Sequence, residues 1–341
     1  MRCSPQFRRQ ATAVSLFCLG LFLGASGARA ADKVTIAMVW TGDPEAGGIY
    51  QAQATGLYKK NGLDVTVMKG GPQVNGAQLL VAGAVDFHVS GNGFSDLNYA
   101  SSGAPGIAIM ATMQKDPQVL LAHPDSGIEN FADIKGHPVL MSKASSTTWW
   151  RLLEVKFGFT DQQIRPFTGS YAPFIVDDAA VTQDYITDEP FYVMQAGATF
   201  TPKIFSLADN AGYVSYARIL ETTTAMVEKH PDVVQRFVDA TIEGEYSYLY
   251  GDPTPGNVLI KKDDPELTDA MIAFSIDAIK ENGIMDSGDS LKLGIGAMSD
   301  ERWKALFDSA VAAGIYPASM DYKKAYTLRF VNKGVGLSMR K

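Results

Sequence analysis

The stretch of this chain that most restricts its fold is residues 34–67, where a strand, a glycine-rich loop, a helix and a second strand follow without a break. Val34, Ile36 and Met38 alternate with smaller or polar residues, the period of a strand. After Trp40 the loop TGDPEAGG frees the backbone for close approach. Ile49, Ala52, Leu57 and Tyr58 then fall at near-helical spacing, Gly62 supplies a stop, and Leu63, Val65 and Val67 alternate again. This is a βαβ unit. Ligands of open α/β sheets collect at the carboxyl ends of the strands, so residues 40–48 are the first candidate for a site.

The alternation continues downstream. A helical pattern over 73–82 stops at Gly83, and a strand over 85–89 runs into Ser90-Gly91-Asn92-Gly93, a second loop at a strand's carboxyl end. Further strands are expected over 107–113, 119–122 and 138–141. The last leads into Ser142–Thr148, mostly small or hydroxylated, and a helix starting near Trp149. A later helix starts at His230-Pro231-Asp232, with proline suited to the first turn and aspartate to its positive end. No internal repeat or low-complexity linker interrupts the pattern.

Residues 1–30 have the layout of a cleavable secretory signal: Arg2, Arg8 and Arg9, an apolar run over 13–25, then Ala28-Arg29-Ala30. The apolar run is short for a membrane span. Arg8-Arg9 leaves twin-arginine and general secretory export both open. Cys3 and Cys18 are the only cysteines, so a chain cleaved after Ala30 has no disulfide, thiolate metal site or cysteine nucleophile. The whole chain carries a formal charge of −7, and its first thirty residues are basic, so the remainder is more acidic still. Nucleic acid and anionic membranes are therefore unlikely partners by charge. There is no GxGxxG after a strand, P-loop, GxSxG or HExxH, and His88, His123, His137 and His230 show no ligand spacing.

Five segments, GGIYQAQATGLYKKNGLDVTV, LLVAGAVDFHVSGNG, FADIKGHPVL, YITDEPFYV and EKHPDVVQRFVDA, resemble in order the substrate-binding proteins of ABC importers. More narrowly, the chain is similar to the branch of thiamine-pyrimidine-precursor binders and the yeast thiamine-pyrimidine synthase (NMT1/THI5-like), whose wider relatives bind sulfonates, nitrate and riboflavin. The resemblance implies an α/β fold, the two-lobed periplasmic binding protein of type II, with two crossing hinge strands and a ligand cleft between the lobes. Lobe one is expected over 34–118 plus 214–329, lobe two over 119–213, with a tail over 330–341. It further implies a monomer in the periplasm, with no cofactor, that hands its ligand to an ABC permease driven by a cytoplasmic ATPase.

Each candidate ligand residue has a structural alternative. Trp40 either stacks on a planar ligand or caps the core, and the resemblance places a pocket tryptophan at a similar point. Asp43 either accepts hydrogen bonds from ligand amines or caps the helix starting near Glu45. Gly91 and Asn92 either read the ligand or form an ordinary turn. Ser145, Ser146, Thr147 and Thr148 offer hydroxyls and helix-start amides, or a solvated cap; the family uses this loop for ligand contact. Trp149 and Trp150 are adjacent and cannot both face a cleft, so one is expected in the core. Glu189 aligns with an acidic residue of the family's "EP" segment, and Tyr171, Tyr185 and Tyr192 are candidate aromatic walls.

The candidate loops hold acids and aromatics but no basic residue, Lys143 and Arg151 being the only nearby cations. A sulfonate or nitrate calls for such cations, whereas a weakly basic nitrogen heterocycle fits tryptophan and carboxylates. The rival class is an enzyme like the pyrimidine synthase. Its group carries a cysteine-rich segment and lysine-bound pyridoxal phosphate, and the cysteine-free remainder of this chain departs from that. A receptor-sensing role uses the same lobe surface as import and stays open.

Overall fold

The computed structural model describes residues 30–71, 73–188 and 191–340. The signal segment and Glu189 lie outside the described residues. The opening unit forms as its periodicity dictates: β1 (Asp32–Ala37), a short 3-10 turn (Pro44–Ala46), helices Gly47–Ala54 and Leu57–Lys60, and β2 (Leu63–Met68). The helix is broken in two at Gly56, whose φ of 76° is left-handed, and Gly62 at φ 69° turns the chain into β2.

Two five-stranded sheets carry the rest. The first has the order β2-β1-β3-β10-β4, with β3 at Phe87–Asn92, β4 at Gly106–Met113 and β10 at Ala217–Thr223. In it β1 runs parallel to β2 and β3, while β10 is antiparallel to β3 and β4. The second has the order β7-β6-β8-β5-β9, with β5 at Gln118–Ala122, β6 at Val139–Met141, β7 at Ile164–Pro166, β8 at Val181–Tyr185 and β9 at Lys203–Ser206.

The chain therefore crosses between sheets over residues 114–117 and returns over 207–216. Arg302, on helix Asp300–Ala312, ties the two crossings together. Its guanidinium donates to the Val214 carbonyl (2.8 Å), the Ser215 carbonyl (3.1 Å) and the Gln114 carbonyl, and lies 4.1 Å from the Tyr216 ring centroid.

Two expectations are corrected here. The strand expected to end at Val89 continues to Asn92, because β10 pairs with it as far as Ala217 opposite Asn92. Trp149 and Trp150 are both core residues, at 1% and 0% exposure. Their rings meet edge to face at 6.4 Å, and helix Trp149–Phe157 buries both together with Leu153.

The first lobe's helices pack at glycines. Where helix Pro231–Tyr250 crosses Gly47–Ala54, a Cβ on Gly244 would sit 2.3 Å from the Gly48 carbonyl oxygen and 2.8 Å from the Ala52 Cβ. Backbone cannot yield as a flexible side chain can. Gly244→Ala is therefore expected to cost about 2–4 kcal/mol by forcing the helices apart, read as a lower urea midpoint with an unchanged m-value.

Candidate functional site

A cavity of about 330 Å³ lies between the sheets. It falls in the size range of small-molecule sites. The β1 loop supplies Trp40, Asp43 and Glu45, β3 supplies Gly91, β10 supplies Arg218, and the segment after β8 supplies Tyr185, Thr187 and Asp188. Phe191 and Tyr192 add aromatic wall from helix Phe191–Gln195, and Phe274 faces them from helix Asp269–Glu281. The Phe191 and Phe274 centroids are 6.3 Å apart.

Charge in the cavity is organised around Arg218. Its Nε donates to Glu45 Oε2 at 2.8 Å, its Nη2 to Asp43 Oδ2 at 2.7 Å and also to Glu45 Oε2. Arg218 has a left-handed φ of 46°, a conformation that costs a non-glycine residue about 1–2 kcal/mol. Thr112 Oγ1 donates to its carbonyl at 2.7 Å and helps hold that geometry. Burial pulls the guanidinium pKa down, but Asp43 and Glu45 outweigh it and raise it overall. Asp43 behaves oppositely: burial pushes it up to about 6 against the pull of Arg218. Glu45 also accepts from Thr187 Oγ1 at 2.5 Å, joining the β1 loop to the segment after β8.

The sequence candidates separate into groups. Trp40, Asp43, Gly91 and Tyr185 line the cavity, and Trp40 is 47% exposed there. Asp43 also caps the 3-10 turn by accepting from Ala46 N at 2.9 Å, so both of its structural features coexist. Asn92 does not line the cavity, and its Oδ1 accepts from Phe94 N at 3.2 Å, at the start of helix Phe94–Ser102. Ser145, Ser146, Thr147 and Thr148 are also absent from the wall. Ser142–Thr148 folds into a helical turn that uses its hydroxyls locally: Ser146 donates to the Lys143 carbonyl, and Thr147 and Thr148 to that of Ala144. Tyr192 lines the cavity, whereas Tyr171 packs in the second lobe's core. Arg151 pairs with Glu154 and Asp161 and is no cavity cation.

Sequence reasoning missed Glu45, Thr187, Asp188 and Arg218. The available signal was a charged residue inside the apolar run Ala217-Arg218-Ile219-Leu220, which calls for a buried partner.

The model of the family described as NMT1/THI5 like matches residues 43–255. The chain belongs to the NMT1/THI5-like family. No curated protein sequence matches it. Among solved structures this NMT1/THI5-like chain is similar to the periplasmic aliphatic sulphonate binding protein SsuA of Escherichia coli, with 16% identity, a TM-score of 0.65, and coverage of 86% of this chain and 91% of the other. It is also similar to the alkanesulfonate-binding protein SsuA of Xanthomonas axonopodis pv. citri bound to MOPS, at 15% identity and TM-score 0.61, covering 86% and 98%. The desulfurization enzyme DSZB matches at 13% identity and TM-score 0.59, covering 90% of this chain and 99% of that one. At such identities the shared property is the fold: α/β, two-lobed, of the periplasmic-binding-protein type. Among the described residues, no helix is long and apolar enough to cross a membrane.

Proposed function

We propose that this protein is the periplasmic solute-binding component of an ABC importer and captures a small nitrogen heterocycle, pyrimidine-like in size, by closure of its two lobes. The observation that carries the ligand class is the acid-rich, aromatic-walled cavity, in which Trp40 stands half-exposed and Arg218 is already bound by two carboxylates. The lobes are taken as 34–118 plus 214–329 and 119–213, with export directed by residues 1–30. A ligand touching both lobes stabilises the closed form over the open one, and that difference is all an importer has to read. Site residues under this reading are Trp40, Asp43, Gly91, Tyr185 and, after Asp188, Glu189. Asn92 and Ser145–Thr148 would need lobe movement to reach a ligand.

One observation favours a second reading. Arg218 Nη1 is buried without a hydrogen-bond partner among the described residues, a donor that a sulfonate oxygen could use. A thermal-shift screen of ligand-stripped protein separates the two, since a ligand at 100 times its Kd adds about 2.7 kcal/mol of stability. A shift with aminopyrimidines and none with alkanesulfonates supports the heterocycle; the reverse pattern moves recognition to Arg218. Trp40→Ala is expected to weaken heterocycle binding about tenfold by titration calorimetry. It should change stability by less than about 0.5 kcal/mol, because the ring is half in solvent. Unchanged affinity would remove the stacking role.

A further inference from the structure

The charge balance of the cavity bears on the ligand more closely than its ring system does. Among the described lining residues, carboxylates come from Asp43, Glu45, Asp188 and Asp264, and Arg218 is the one basic side chain. Arg218 is engaged by Asp43 and Glu45, and Asp264 accepts from Thr41 Oγ1 at 3.0 Å. The Asp188 carboxylate receives no hydrogen bond and no ion pair from any described residue, although it lines the cavity. Burial, then repulsion from Glu45, Asp43 and Asp184, holds its pKa well above the usual carboxylate range against the weaker pull of Arg218. A carboxyl group so placed gains most from an incoming positive charge.

The aromatic walls have the same preference. Trp40 and Tyr185, 47% and 39% exposed, line the same cavity, and Phe191 and Phe274 approach from opposite lobes. Ring faces carry negative potential and attract cations. An anion would find only the free Nη1 of Arg218, whose charge Asp43 and Glu45 already balance, while approaching Asp188. A neutral ring could offer Asp188 a hydrogen bond but no charge.

We propose that the ligand is an organic monocation, a protonated or quaternised nitrogen heterocycle, and that Asp188 selects for its charge. This inference rests on the reading of the cavity as the ligand site.

The test uses a matched pair of equal size: 4-aminopyridine, protonated at neutral pH, and aniline, which is neutral there, with ethanesulfonate as the anionic probe. Titration calorimetry on the mature protein is expected to show 4-aminopyridinium binding about tenfold or more tighter than aniline. Asp188→Asn should bring the two within about twofold. Its carboxylate makes no described hydrogen bond, so the variant is expected to fold, and an unchanged circular dichroism melt verifies this. Equal affinity for the two rings overturns the charge selection and leaves the heterocycle reading standing. Binding of ethanesulfonate with neither ring bound overturns both. A preference for the cation that survives in Asp188→Asn overturns the role of Asp188.

Discussion

Replacing Arg218 by Met is expected to destabilise the protein by about 3–5 kcal/mol at neutral pH, the usual effect of leaving a buried charge without its partner. Asp43 and Glu45 are held in place by this guanidinium, and their side chains are only 15% and 4% exposed. Methionine fills the space but offers neither charge nor donors, so both carboxylates face a cavity wall with nothing to balance them. The cost should shrink on acidification, because protonating Asp43, whose pKa is about 6, removes part of the uncompensated charge. Arg218→Lys should fall between, retaining the charge while losing the fork that reaches both partners. Urea unfolding at two pH values measures all of this. A loss below about 1 kcal/mol for Arg218→Met would show that water already balances the cluster.

The second large effect is a loss of stability as pH rises from mild acid to mild base. Burial is the leading cause of elevated pKa values at Asp43 (about 6), Asp116 (about 7) and Glu245 (about 8), against 3.8, 3.8 and 4.5 for the free groups. A group whose folded pKa is raised binds its proton more tightly in the native state. Its contribution is therefore complete below about pH 4 and is lost as pH climbs through the folded value. Between pH 5 and pH 8 these groups give up about one, two and three pKa units of that contribution, so at about 1.36 kcal/mol per unit stability should fall by at most on the order of 8 kcal/mol. Asp133, Asp232 and Asp252 are shifted downward by hydrogen bonds, so they act in the opposite direction and only at lower pH. Glu245→Gln should flatten the upper end of the curve, since Glu245 has the highest pKa of the three. Denaturation midpoints that rise from pH 5 to pH 8 would contradict this account.

Much of the secondary structure was legible because it is local. The period-2 runs in β1 and β2, the continuous apolar run of β4 and the Pro231 start of the long helix are written in neighbouring residues. The elements misjudged were those decided by distant partners. Asn92 belongs to β3 only because β10 lies beside it, and the hydroxylated stretch before Trp149 coils into a turn that its own carbonyls satisfy. Two buried tryptophans on one helix require cover from both sides, which no helical wheel reveals.

The site divides in the same way. Trp40, Asp43, Gly91 and Tyr185 were accessible from sequence because they lie at or just past the carboxyl ends of strands, where an α/β sheet presents its ligand edge. Arg218 was not, being 175 positions from Asp43 and 173 from Glu45. The sequence by itself determined the α/β alternation and the family, since hydrophobic period and turn residues act over a few positions. Only the tertiary structure decided which charges meet there. Ion pairing depends on distances of a few ångströms, and those are created when β10 returns between β3 and β4 of the first sheet.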